Sequence, residues 1–181
     1  MGVVWGMKTR YIIGAIILCM GISLYLRIAP PYDSVFTGEW VKFIGNDAYW
    51  QMANVDKLAP NFLHYTPISG PFRFFHFLLS GTIWVIGLGS PTQHTIDTVA
   101  AYFPAVLGAL TVIPVYFLGK AVCGRMAGII AATLIAILPG EWLGRSSLGF
   151  TDHHVLEVLL TTTALLFVVL AVKGKKCAVI V

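Results

Sequence analysis

Apolar residues fall into five blocks separated by short polar intervals. The first, residues 11–26, follows Lys8 and Arg10 and is closed by Arg27 and the pair Pro30-Pro31. No small-x-small cleavage site follows it, so it reads as a retained anchor rather than a removed signal. The second block, residues 74–88, is short and carries His76. The third, residues 98–118, holds no charge and is long enough to cross a hydrocarbon core. Its Pro104 and Pro114 are residues that membrane helices tolerate. Blocks at 126–143 and 155–172 complete the set, with Glu141 and Glu157 near their ends.

Composition turns these blocks into membrane segments. Of 181 residues, 57% are hydrophobic and 11% charged, against about a quarter charged in a soluble domain. The net charge of +4 hints at nucleic acid only if the cations form a patch. Here they sit at block ends, and no nucleic-acid partner is expected. Cys19, Cys123 and Cys177 are isolated in the sequence and read as bystanders rather than a disulfide framework.

The charges also set the topology. If block two does not cross, Lys8, Arg10, Lys120, Arg125, Lys173, Lys175 and Lys176 share one side without an acid. Asp33, Glu39, Asp47, Asp56, Asp97, Glu141, Asp152 and Glu157 then share the other. Arg27, Lys42, Lys57, Arg73 and Arg145 lie with these acids. The positive-inside rule selects this arrangement, and block two is short for a span. The expected fold is all-α and polytopic, a cell-membrane protein with both termini cytoplasmic. It has four transmembrane helices (11–29, 98–119, 126–143 and 155–172), an external loop over 30–97 with interfacial helices, and a short external turn over 144–154. No internal repeat is evident.

Two acidic stretches then fall on the same external side. In "GFTDHH", Asp152 and His154 are two apart, a spacing that shares one face in extended chain. Carboxylate plus imidazole suits Mn²⁺ or Mg²⁺, or Zn²⁺ with more nitrogen. In "IGNDAYW", Asp47 is available as a third ligand. The competing reading is that Thr151 or Asp152 caps the helix starting near His153, and that Asp47 opens an amphipathic helix over 48–58. Arg145 reads as an interfacial anchor, a loop-fixing ion pair, or a partner for a phosphate or anionic headgroup. His64, His76 and His94 have no companion at ligand spacing and read as surface or packing residues. Tyr49, Trp50 and Trp142 fit an aromatic belt.

With "NDAYW" in the first loop and "TVIPVYFLGKAVCGRMAGIIAATLIAILPGEWLGRSSLGFTDHH" later, the chain resembles the N-terminal part of the archaeal oligosaccharyltransferase catalytic subunit. The likeness runs from Tyr11 to about Val172 and rests on the order, spacing and sidedness of short motifs. It implies a polytopic glycosyltransferase that moves a glycan from a dolichol-linked phosphate or pyrophosphate to Asn in Asn-X-Ser/Thr. Its partners are then the dolichol-linked oligosaccharide donor, the acceptor polypeptide and membrane lipid. It also implies Asp47, Asp152 and His154 as ligands of Mn²⁺ or Mg²⁺, with Asp47 touching the acceptor amide and "DHH" replacing the family's D-x-D-like motif. The family's later crossings, later catalytic acid and acceptor-reading W-W-D-Y-G domain do not follow "KGKKCAVIV", so this chain alone is expected to be inactive. Two other readings stay open: another polyprenyl-phosphate-sugar transferase, or a non-enzymatic membrane transporter or assembly subunit.

Overall fold

The computed structural model describes residues 9–38, 40–64 and 74–174. Helix α1 (Thr9–Ile28) leads through the single-turn α2 (Tyr32–Val35) to a two-residue antiparallel hairpin, β1 (Phe36–Thr37) and β2 (Trp40–Val41). Then come α3 (Asn46–Leu58), a 3₁₀ segment over Ala59–His64, and α4 (Phe74–Ile86). Next follow α5 (Gln93–Leu110), α6 (Val112–Cys123), α7 (Arg125–Ile137), the short α8 (Glu141–Arg145) and α9 (His154–Val172).

Among the described residues, three helical stretches are long and apolar enough to cross a membrane: Thr9–Ile28, Gln93–Cys123 and His154–Val172. The middle one joins α5 and α6 through Thr111 and is 31 residues long. At 1.5 Å per residue it measures about 46 Å, half as long again as a hydrocarbon core of about 30 Å. It therefore begins well before the expected Thr98, and residues 93–97, expected in the loop, are its first turn. The expected helix over 126–143 is shorter. Leu138 is extended, Pro139 and Gly140 follow, and α7 stops at Ile137.

Two cores result. In the first, Ile12 and Cys19 of α1 pack with Val112, Tyr116, Ala132 and Ala136 of α6 and α7. Gly119 and Gly128 let α6 and α7 approach closely: a Cβ on Gly128 would lie 2.7 Å from the Tyr116 carbonyl oxygen. Outward residues such as Ile13, Ile17, Leu18, Leu165 and Val168 are exposed, as helix surfaces facing lipid are. The second core gathers Val35, Phe43, Met52, Val55, Phe75, Leu79, Ile96, Phe103, Leu148 and Val155. It joins the first loop to the end of the bundle that carries the acidic stretches. Helix α3 is amphipathic as expected, burying Ala48, Gln51, Met52, Val55 and Leu58.

Arg27 links the two layers. The sequence reading grouped it with the external-side cations at the end of the first transmembrane helix; it lies in the last turn of α1 and is fully buried. Its Nη1 donates to Ser23 Oγ (2.6 Å) and to the Ala136 carbonyl (3.2 Å), and Nη2 to the Ile135 carbonyl (3.4 Å). Those carbonyls belong to the last turn of α7, where helical partners run out and the helix dipole is negative. Its Nε donates to Ser146 Oγ at 2.8 Å.

Candidate metal centre at the start of α9

A proline in α5 sets the loop that enters α9. Pro104 has no N–H, so the Ala100 carbonyl loses its helical donor. Thr151 Oγ1 donates to that carbonyl at 2.8 Å. The same loop is held by Gly149 N–H on Ala101 O (2.9 Å), Leu148 N–H on Arg27 O (2.9 Å) and Ile44 N–H on Gly149 O (2.9 Å). Gly149 has φ +79°, and a Cβ there would lie 2.8 Å from Val35 Cγ2, so only glycine fits. Thr151 is thus used against α5 and not as a helix cap, and no side-chain cap closes α9.

Asp152 is buried, 1% exposed. Its Oδ1 accepts from His153 N–H (2.7 Å), His153 Nδ1 (2.5 Å) and Gln51 Nε2 (2.8 Å). Its Oδ2 is buried without a hydrogen-bond partner and lies 3.3 Å from His154 Nε2. Burial pushes the Asp152 carboxyl up, but bonds from the His153 N–H and Gln51, with the charge of His153, outweigh it. The group is held below its ordinary value. Glu157, one turn on, lies 3.3 Å from His154 Nδ1 and 3.5 Å from His153 Nε2.

Ligand atoms of Asp152, His153 and His154 all lie within 4.8 Å of one another. The extended-chain reading of Asp152 and His154, which would set His153 on the opposite face, is corrected. His153 has φ −71° and ψ −20°, a helical conformation, so the alternation of extended chain does not apply and both rings stay near Asp152. Their centroids are 4.4 Å apart.

These residues fit a divalent cation. A buried carboxylate oxygen without a partner costs about 1–3 kcal/mol or more, and an ion at Oδ2 removes that cost. Ligand bonds of about 2.1 Å at 90–109° separate neighbouring ligand atoms by about 3.0–3.4 Å, which matches Oδ2 to His154 Nε2. Glu157 on His154 Nδ1 leaves Nε2 free to ligate, the usual outer contact of a metal-binding histidine.

Asp47 is exposed in the first turn of α3 and is not part of the three-residue cluster. Gln51, one turn later on the same face, touches Asp152, so Asp47 projects from the side of α3 that meets the site. Arg145 pairs with Glu141 (Nε to Oε2, 2.9 Å) and not with Asp152. The hydrogen bond it donates to Glu141 raises its pKa, and the charges of Glu141, Asp152 and Asp47 add to this. Asp152 and Asp47 therefore both lie within its electrostatic range.

Sequence reasoning missed three residues. Gln51 is spaced four after Asp47, and Glu157 three and four after the histidines, both helical signals. His76 read as a surface or packing residue. It is fully buried in α4, and its Nε2 lies 2.6 Å from Gln51 Oε1. His64 and His94 are exposed, as expected.

Apolar helices, a lipid-facing surface and an ionisable cluster at the helix ends define a polytopic helical membrane protein. The chain belongs to the oligosaccharyl transferase STT3 family, whose N-terminal model matches residues 16–181. It is 36% identical over 168 residues to dolichyl-phosphooligosaccharide-protein glycotransferase 3 of Archaeoglobus fulgidus, covering 87% of this chain and 19% of that protein. It is 34% identical over 173 residues to the Haloferax volcanii dolichyl-monophosphooligosaccharide–protein glycotransferase AglB, covering 88% of this chain and 16% of that protein. Among solved structures, the apo A. fulgidus oligosaccharyltransferase superposes with a TM-score of 0.80 at 33% identity, covering 97% of this chain and 21% of that one. The same enzyme in complex with Zn and sulfate gives 0.77 at 34% identity, covering 91% and 22%. AglB from A. fulgidus with an inhibitory peptide and a dolichol-phosphate gives 0.78 at 34% identity, covering 92% and 20%. The chain thus spans about a fifth of the length of these relatives.

Proposed function

We propose that this chain contributes the cation-binding side of an oligosaccharyltransferase site, which transfers a lipid-linked oligosaccharide to Asn in Asn-X-Ser/Thr. The observation that carries this is the buried, unpartnered Asp152 Oδ2 facing His154 Nε2 at 3.3 Å, beside the α3 face that bears Asp47. Asp152, His154 and Asp47 hold the ion. Two carboxylates and one imidazole suit Mn²⁺ or Mg²⁺, and Zn²⁺ if His153 adds a second nitrogen. When bound, the cation neutralises charge on the leaving phosphate oxygen of the donor. Asp47, exposed in the first turn of α3, is free to accept from an acceptor amide. Arg145 offers a guanidinium to a phosphate oxygen. Two solved structures from A. fulgidus support the substrates: one holds dolichol-phosphate and an inhibitory peptide, another a tethered acceptor peptide with an NVT sequon.

The same reading places four crossings, with termini cytoplasmic and the site external. Helix α7 runs alongside α1 in the same direction, from Cys19 beside Thr133 (3.6 Å) to Arg27 on Ala136, and serves as the third crossing despite its 13 residues. Helix α4 is equally short and packs on α3 and α5 as part of the external layer.

The test is a chimera in which this chain replaces the matching residues of the A. fulgidus relative. Transfer to an Asn-Val-Thr peptide from a lipid-linked donor is expected, and Asp47→Ala or Asp152→Asn should reduce it to background. Transfer undiminished by Asp152→Asn overturns the reading.

A further inference from the structure

We propose that Gln51 and His76 are positioning residues that fix which oxygen of Asp152 faces the cation. The inference rests on the metal reading above. The side chain of Gln51 is 1% exposed and bridges two helices and a loop. Its Nε2 donates to Asp152 Oδ1 at 2.8 Å, and its Oε1 accepts from His76 Nε2 at 2.6 Å. The amide oxygen only accepts, so His76 carries its proton on Nε2. The Asp152 carboxylate fixes the direction of the amide, because it only accepts. Reversed, the amide would set its oxygen against that carboxylate. The same direction turns Oε1 to His76, which anchors the far end of Gln51, and Gln51 with His153 holds Oδ1, leaving Oδ2 turned to His154.

The relay connects α4 to the site although no α4 residue lies in the metal cluster. Phe75 and Trp50 pack their rings around His76, with centroids 6.1 and 5.8 Å from it, so the imidazole is held in place by its neighbours. Only a side chain that both donates and accepts at this length completes the bridge. Glutamate would oppose Asp152 with a second carboxylate, and asparagine is one methylene short of spanning both partners.

A double-mutant cycle on the full chain in detergent tests this, with binding of Mn²⁺ alone followed by loss of the free-ion EPR signal. Gln51→Met keeps the volume, and His76→Phe keeps an aromatic among aromatics. Each is expected to weaken Mn²⁺ binding by about tenfold, the lower end of the range for residues that orient a ligand. The double variant should also lose about tenfold, because both act through one bond pair. Additive losses of about a hundredfold would mean that His76 acts on the ion independently, and overturn the relay. Unchanged affinity in both single variants overturns it too. If Gln51→Met fails to fold, judged by its melting transition, His76→Phe alone decides, since it leaves Gln51, which touches Asp152, in place. Should wild type bind no Mn²⁺, or Asp152→Asn bind it as well, the metal reading itself fails. If wild type binds and Asp152→Asn does not, while the two single variants match wild type, only the positioning role fails.

Discussion

The side chains of Arg27 and Ser146, 119 positions apart, are joined by a 2.8 Å hydrogen bond over the surface of Gly108. A Cβ on Gly108 would lie 2.6 Å from Arg27 Nε and 2.9 Å from Ser146 Cβ. Gly108→Ala is therefore expected to destabilise the chain by about 1–3 kcal/mol through overpacking. Gly14→Ala in α1, where nothing lies within 4 Å, should be neutral or slightly stabilising. Thermal unfolding of the two variants in one detergent checks the contrast, and equal melting temperatures would contradict it.

The topology predicts opposite faces for Lys120 and Glu141. With Cys19, Cys123 and Cys177 replaced, Lys120→Cys should react with a membrane-impermeant maleimide only after the membrane is opened. Glu141→Cys should react in intact cells. Labelling of position 120 from outside would invert the arrangement and place the site on the cytoplasmic face.

Glu157 holds His154 Nδ1 and approaches His153 Nε2, so it orients the rings without being needed as a ligand. Glu157→Gln is expected to weaken cation binding severalfold to tenfold, less than Asp152→Asn, which should abolish it. Titration with Mn²⁺ ranks them, and a larger loss in Glu157→Gln would make Glu157 a ligand.

The depressed pKa of Asp152 has a signed consequence for the metal-free chain. When the folded value lies below the unfolded one, the unfolded state binds more protons as pH falls. The stabilisation is complete above the unfolded value of about 3.9 and is lost as pH drops through the folded value. Wild type should lose more stability than Asp152→Asn as the pH is lowered through and below about 4, read from melting temperature against pH. Parallel curves would show that the carboxylate is not held ionised by its neighbours.

What the sequence conveyed, and what it did not, follows from the range of each signal. Apolar run length located α1 and α9 within a residue or two, because hydropathy is local. The ends of α5 and α7 were misplaced because Gln93, His94 and Asp97 are polar yet helical, and the apolar run continues past Ile137 to Leu138 after its helix has ended. Arg27 was read only as an external-side cation because nothing nearby in sequence announces the α7 carbonyls that receive it. Asp152 and His154 were legible as a pair. The part played by His153 was not, because helical backbone at that residue cancels the extended alternation. Gln51 and His76 have no motif: their bond spans 25 positions and the bond to Asp152 spans 101.

The loop before α9 has backbone or side-chain bonds to Arg27, Ile44, Ala100 and Ala101, residues made long before it during synthesis. Until Leu148, Gly149 and Thr151 leave the ribosome, the Ala100 carbonyl opened by Pro104 has no Thr151 to meet, and Ile44 has no Gly149 to bond. The first-loop layer must wait for the segment that docks it. Assembly of this part therefore runs from the membrane helices outward, and the cation-holding residues come together only once the loop before α9 has been made. A chain arrested before position 147 should insert its first helices yet leave α3 unanchored. The carbonyl that Pro104 uncovers would mark such an intermediate, being open to water or to a chaperone until the loop closes over it.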